Sequence, residues 1–253
     1  GSFGTTTAAV DAGADARDVA SAFNIISGTT GVLAQAITRG KISFASVATY
    51  TFTLRGKSDT ASVVNATVAS VSNLTSLKDA INSVSGSTGI NASLTADLSG
   101  INLVQQDGYN VIVSGVLGAG NIVMDAANRN GTSNGNAVTL GAAVGTDSAG
   151  FVGSVALTSH KAFTVTPGNS ANHFSEGTAA VSSSLSKMGD VDISKQTGAT
   201  NAISVIDGAI AMVSEVRSEM GAAENRLTST VDNLSNVSVN TQRSLTSVED
   251  ANF

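Results

Sequence analysis

Ala22-Phe23-Asn24-Ile25-Ile26-Ser27-Gly28-Thr29-Thr30-Gly31-Val32 returns 58 residues later as Ala80-Ile81-Asn82-Ser83-Val84-Ser85-Gly86-Ser87-Thr88-Gly89-Ile90. Six of the eleven positions are identical, three more exchange one apolar side chain for another, and Ala34 then matches Ala92. A repeat at a fixed offset predicts a repeated structural unit. In the second copy Thr75 or Ser76 is placed to cap a short helix. Leu77, Ala80, Ile81 and Val84 share one helical face, and Gly86 is expected to end it. In the first copy Val19, Ala22, Phe23 and Ile26 form the stripe, with Asp18 near the start.

Strand patterns follow each helix. Val32 to Ile37, Ile42 to Phe44 and the alternation of Tyr50, Phe52 and Leu54 follow the first. Ile90, Ala92 and Leu94, then Ile101 and Leu103, follow the second, and Gln106-Asp107-Gly108-Tyr109 is a turn leading to Val111 and Val113. The expectation is one helix on a small antiparallel sheet in each copy, over residues 15–54 and 73–114. Residues 115–185 are dominated by Gly, Asn, Ser and Thr, and Asn128 to Asn136 reads as a loop. One hairpin stands out there: Val155 and Leu157 against Phe163 and Val165, with Ser159-His160-Lys161 between and Pro167 ending it.

The pattern changes from about Thr197. Ile203, Ile206, Ile210, Val213, Val216, Met220, Ala223, Leu227, Val231, Leu234, Val237, Thr241, Leu245 and Val248 recur at steps of three or four. That is an amphipathic helix with a narrow seam, about 70 Å long from Ala199 to Ser247 at roughly 1.5 Å per residue. Gly208 and Gly221 each weaken it by about 1 kcal/mol relative to Ala. A seam this long needs partner helices. Ile203, Ile206, Ile210, Val213, Met220, Leu227, Val231, Leu234 and Leu245 are the candidate bundle contacts. The fold class expected is α+β: a β-rich domain over 1–190 and a long helix over 191–253.

Composition narrows the function. Of 253 residues, 26 are Gly, aromatics are 4%, Trp and Cys are absent, and the net charge is -6. So few large apolar side chains suit a thin, extended architecture better than a thick enzyme core. An acidic chain with no basic run makes nucleic acid and membrane surfaces poor partners, and no apolar window is long enough to span a bilayer. His160 and His173 are the only histidines and neither has metal-ligand spacing. Asp15, Asp18, Asp79, Asp97 and Asp107 are dispersed, which suits caps and turns. Gly118-Ala119-Gly120 lacks the Lys of a phosphate loop, and no Gly-x-Ser-x-Gly follows a strand with a His partner. No catalytic residue, cofactor or metal is expected. The first residues, Gly1-Ser2-Phe3-Gly4, carry no signal-peptide pattern, and the chain reads as starting within a longer protein.

The C-terminal segment carries a family likeness. Ala202-Ile203-Ser204-Val205-Ile206-Asp207, Met220-Gly221-Ala222, Glu224-Asn225-Arg226-Leu227, Asn233-Leu234 and Val248-Glu249-Asp250-Ala251-Asn252-Phe253 resemble the carboxyl-terminal region of bacterial flagellins. Met220, Val248 and Asn252 are mild departures from the usual leucine, isoleucine and aspartate. Ile81-Asn82, with the variant Phe23-Asn24, resembles the flagellin IN motif, and Gly153 to Val165 resembles an outer-domain strand pair. The resemblance implies a structural, self-assembling subunit of an extracellular filament that serves motility. It also implies export by the flagellar apparatus without a cleaved signal peptide.

By the same likeness, the partners are other flagellin subunits, an export chaperone and a cap protein. The amino-terminal helices and the last C-terminal helix of the family lie outside this sequence. Arg217, Asn225 and Arg226, read as lying off the seam, become subunit-contact candidates. The alternatives are a hook–filament junction protein, an adhesin or carbohydrate-binding role for the β-rich part, and an enzymatic insertion, for which no catalytic constellation is present.

Overall fold

The computed structural model describes residues 4–117, 120–141, 147–168, 180–194 and 196–251. The elements run α1 (Ala16–Ile25), α2 (Ser27–Thr30), β1 (Leu33–Phe44), β2 (Ala48–Arg55), β3 (Ser62–Val68), α3 (Thr75–Ser83), α4 (Ser85–Thr88), β4 (Ile90–Leu94) and β5 (Gly100–Gln105). There follow β6 (Val111–Leu117), β7 (Ile122–Ala127), β8 (Val138–Leu140), β9 (Ser148–Phe151), β10 (Ser154–Thr158), β11 (Thr164–Val165), β12 (Val181–Ser182), a 3₁₀ turn at Met188–Asp190 and α5 (Gln196–Asp250). The fold is α+β, and it divides into two compact units, one up to Ala202 and one from Ile203 onward.

The first unit is built on two antiparallel sheets, ordered β4-β5-β1-β7-β8 and β3-β2-β6-β9, with β10 paired to the N-terminal part of β1. Alternation explains the faces. In β2, Tyr50, Phe52 and Leu54 are buried while the threonines between them face outward. There Thr49 bonds Thr67 at 2.9 Å, and Asn65 donates to Thr51 at 2.7 Å. The inward side chains of both sheets form one core with Leu74, Leu77 and Ile81 of the α3 region. Helix α3 packs on β3, the edge of one sheet, and on β4, the edge of the other, so it seals one side of the sandwich. Full burial of Leu77 and Ile81 contributes about 1.5–3 kcal/mol each. At the opposite side β8 and β9 adjoin.

The repeat is present in three dimensions. Phe23 and Ile81 occupy equivalent helical positions, Ile81 fully buried and Phe23 half-buried. Asn24 Nδ2 donates to the Ala34 carbonyl at 2.9 Å and its Oδ1 accepts from the Ala34 amide at 2.8 Å. Asn82 treats Ala92 the same way, at 3.0 and 2.8 Å. Thr30 and Thr88 each donate back to the carbonyl four residues earlier and accept from the amide two residues on. The asparagine amide thus stands in for a neighbouring strand, satisfying one residue's donor and acceptor together. For β4, an edge strand, that also blunts a free edge.

Removing this cap has a defined cost. Asn82→Ala leaves the part-buried Ala92 N–H and C=O unpaired, so stability should fall by about 2 kcal/mol. At about 2–4 °C per kcal/mol for a unit of this size, melting should drop by roughly 4–8 °C. Asn65→Ala, which removes one exposed hydrogen bond, should stay within about 0.5 kcal/mol. Thermal melting of the two variants side by side checks this, and equal shifts would remove the special role of Asn82.

Several expectations are corrected. The glycines that stop the repeated helices are Gly31 and Gly89, at φ 65° and 69° in the left-handed region, whereas Gly28 and Gly86 sit inside α2 and α4. Neither Thr75 nor Ser76 caps α3; instead Asn73 Oδ1 accepts from the Thr75 amide at 3.2 Å. Residues 33–44 form one strand, not two. The strands after the two copies are not separate sheets: β5 lies directly against β1, Thr38 opposite Gln105 through Ser43 opposite Gly100. The 155–165 hairpin does not form. β10 pairs with β1, Leu33 opposite Thr158, and Val165 pairs with Val181. β3, β7, β8, β9 and β12 are strands beyond those expected from the sequence pattern.

Candidate assembly interface

Helix α5 has 55 residues and spans about 82 Å at ~1.5 Å per residue. Its seam is stricter than steps of three and four suggest. Ile206, Val213, Met220, Leu227, Leu234, Thr241 and Val248 recur every seventh residue. A second row, Ile203, Ile210, Arg217, Glu224, Val231, Ser238 and Leu245, lies three residues before it, with Val216, Ala223 and Val237 flanking. A strict seven-residue repeat keeps a seam facing one partner if the helices coil left-handed around each other.

All the apolar members of these two rows are exposed; Met220 is 68% and Leu227 67% accessible. Val213, Arg217, Met220, Gly221, Glu224, Leu227 and Val231 line one shallow groove along the helix. Arg217 therefore belongs to the seam face, a correction to its expected place, whereas Asn225 and Arg226 fall outside these rows and outside the groove. Gly221 has nothing within 4 Å of where a Cβ would stand, so it leaves an open notch beside Met220. Thr241, in the seam row, and Thr230, Ser244 and Thr246, outside it, return their hydroxyls to carbonyls four residues back. That satisfies these hydroxyls without a partner chain.

The residues weighed as chemical candidates are dispersed. His160 is half-buried in the segment after β10, and His173 lies outside the described residues. Among the described residues no three His, Cys, Asp or Glu side chains converge as a metal site. Asp15 stands before α1 without a side-chain cap bond, and Asp18 pairs with Arg17 and Asp79 with Lys78. Asp97 is held in a turn by the hydroxyls of Ser99 and Thr95, each at 2.5 Å, which keep its pKa down at about 2. Gly118 and Ala119 fall outside the described residues. No described helix is long and apolar enough to cross a membrane.

Similarity to known proteins follows the same two features. Residues 203–253 match the bacterial flagellin C-terminal helical region, and residues 51–107 match the flagellin hook IN motif. The latter segment includes Ile81-Asn82 and excludes the Phe23-Asn24 copy. The B-type flagellin of Pseudomonas aeruginosa is 33% identical over 194 residues, 74% of this chain and 38% of that protein. Flagellin A of Vibrio cholerae is 38% identical and flagellin E of the same species 42% identical over 64 residues, 25% of this chain and 17% of each relative. The chain thus spans well under half the length of these relatives. One-third identity across three quarters of the residues, an IN segment that contains the second repeat, and a terminal match that coincides with the exposed seam of α5 show that this chain belongs to the bacterial flagellins.

Proposed function

We propose that the chain is part of a structural subunit of the extracellular flagellar filament, which assembles with copies of itself and serves motility. The observation that carries this is the exposed seven-residue seam of α5. Tertiary packing supplies most of a helix's stability, and a seam of this length has to be covered by other helices. Ile203, Ile206, Ile210, Val213, Met220, Leu227, Val231, Leu234 and Leu245 are the bundle contacts in this reading. Arg217 and Glu224 interrupt the second row and set register, since a charged side chain there is tolerated only opposite a matching group. Asn225 and Arg226 are contacts to further subunits on the other side.

Residues 1–190 then project as the outer domain, and 191–253 join the filament core. Contacts of this heterologous kind, repeated without closing, generate an open helical polymer. An export chaperone and a cap protein complete the partners, delivery is through the flagellar export apparatus without a cleaved signal, and no reaction or cofactor is involved. The test is to express this segment within its natural full-length gene in a bacterium lacking its own filament subunit. Filaments seen by electron microscopy are expected; secretion of the full-length protein as soluble monomer only would overturn the proposal.

A further inference from the structure

Four of the thirteen Lys and Arg residues of this acidic chain gather around one cleft. The cleft, an open cavity of about 830 Å³, lies between α1, the N-terminal half of β1 and the turn after β5. Arg17, Lys57 and Arg129 line it, together with Gln35, Tyr109 and Asp107. Arg39 stands further along β1 on the face that carries Gln35, and it is close enough to Arg129 for the like charges to depress the Arg129 pKa, after the larger effect of burial. Arg39 is itself partly desolvated, and its Nε is buried without a hydrogen-bond partner. Among the described residues, neither Arg39, Arg129 nor Lys57 is in an ion pair.

The cations are held in place. Arg129 donates to Gln35 Oε1 at 2.9 Å and to the Gln35 carbonyl at 3.4 Å. It follows an Asn128 turn whose Oδ1 accepts two backbone amides. The Arg17 guanidinium lies 4.9 Å from the centre of the Tyr109 ring, and the Tyr109 amide is fixed by fully buried Gln105 at 3.0 Å. The Arg17 amide is tied to the Gly108 carbonyl at 3.2 Å. Asp107 in the cleft and Asp18 beside Arg17 offset part of the charge, leaving four cations against two carboxylates.

We propose that this cleft binds an acidic oligosaccharide, a sugar chain bearing carboxylates. Planar guanidiniums match carboxylates bidentately, and the amides and hydroxyl of Gln35, Gln106 and Ser21 suit sugar hydroxyls. The cations come from α1, the β2–β3 connection, β1 and the β7–β8 connection, which fits charges spaced along a chain better than one compact anion. The net charge of -6 disfavours a nucleic-acid backbone, where the charge density is far higher. This assignment stands apart from the filament reading, because no residue of α5 takes part.

The test titrates trigalacturonate into the 253-residue chain at low salt, following backbone amides by NMR, with maltotriose and inorganic phosphate as comparators. Saturable shifts at Gln35, Tyr109 and Arg129 with trigalacturonate alone are expected. Arg129→Gln should weaken binding by about tenfold or more, the usual effect of losing a charged hydrogen bond, and Arg17→Gln by about fivefold, less because the Arg17 side chain is half exposed and solvent-screened. Arg17 is half exposed, so its variant should melt with the parent and remains decisive if Arg129→Gln loosens its turn. No saturable binding of trigalacturonate, equal binding of maltotriose, phosphate saturating the same amides as tightly, or undiminished binding by a correctly folded Arg17→Gln would each overturn the proposal.

Discussion

Leu227→Asp in the full-length subunit is expected to abolish filament growth while leaving the melting of the β-rich unit unchanged. Leu227 stands at the middle of the seven-residue row, between Met220 and Leu234, and is 67% exposed when α5 has no partner. A carboxylate there is solvated in the lone chain and costs almost nothing. In a helix bundle the same group is stripped of water with no cation opposite it, a penalty of about 3–5 kcal/mol for each subunit interface. Converted at 1.4 kcal/mol per tenfold, that raises the concentration needed for growth by about 10² to 4 × 10³.

Ser229→Asp carries the same charge on the opposite side of α5, the side that bears Asn225 and Arg226, and is the comparison; outside the apolar seam rows its cost should be well below that of Leu227→Asp, about 1 kcal/mol or less. Seeded growth measured by light scattering, with calorimetry of this chain carrying each substitution, separates the two effects. Growth of Leu227→Asp at the native rate would sink the account of the seam. Equal loss in Ser229→Asp would show that the seam is not what selects the partner.

The reasons why some of this was readable in the sequence, and some not, lie in the range of the interactions. Each repeat is a local device: helix, one short helical turn, a left-handed glycine and a strand start within about twenty residues, so its spacing survives in the sequence. Even the partners of the two asparagines, Ala34 and Ala92, keep the same separation of ten. The long helix was legible because a single period governs it from Ile203 to Val248. A count of three- and four-residue steps hides the strict sevenfold row to which Arg217 belongs. β10 departs from its local pattern for the opposite reason. Its residues alternate like half of a hairpin, but its partner is β1, with Leu33 opposite Thr158, and nothing nearby in the chain reports such a pairing. The short strands β8 and β9 offer three and four residues of weak alternation, too few to stand out among Gly- and Ser-rich neighbours. The basic cleft left no motif either, since Arg17, Arg39, Lys57 and Arg129 come from four separated places and meet only after the two sheets and α1 are in position.

A large stability effect should come from Gly40, which no pattern singles out. It lies in the middle of β1, with Leu103 on one side and Ala126 on the other. A Cβ on it would stand 2.5–2.6 Å from three ring atoms of Phe151, which belongs to β9 in the facing sheet and is 1% exposed. The Phe151 ring therefore fills the volume that a side chain at position 40 would take. Gly40 does not have a positive φ, so Ala carries no backbone penalty there, and any loss is steric. The ring has no room to retreat in a core packed at crystal-like density. Gly40→Ala should cost about 3 kcal/mol, at the upper end for overpacking, and lower the melting of the first unit by roughly 6–12 °C. Adding Phe151→Leu should recover about 1 kcal/mol or more of that loss, because the two side chains compete for one space and their effects cannot be additive. Gly86→Ala is the contrasting case. It sits in α4 with nothing within 4 Å of its Cβ position and a φ outside the left-handed region. There the substitution removes conformational freedom from the unfolded chain and should stabilise by about 0.4–1 kcal/mol. Denaturant melts of the three variants decide the matter. A neutral Gly40→Ala, or a double variant whose losses simply add, would mean that the two sheets do not meet through Phe151 as described.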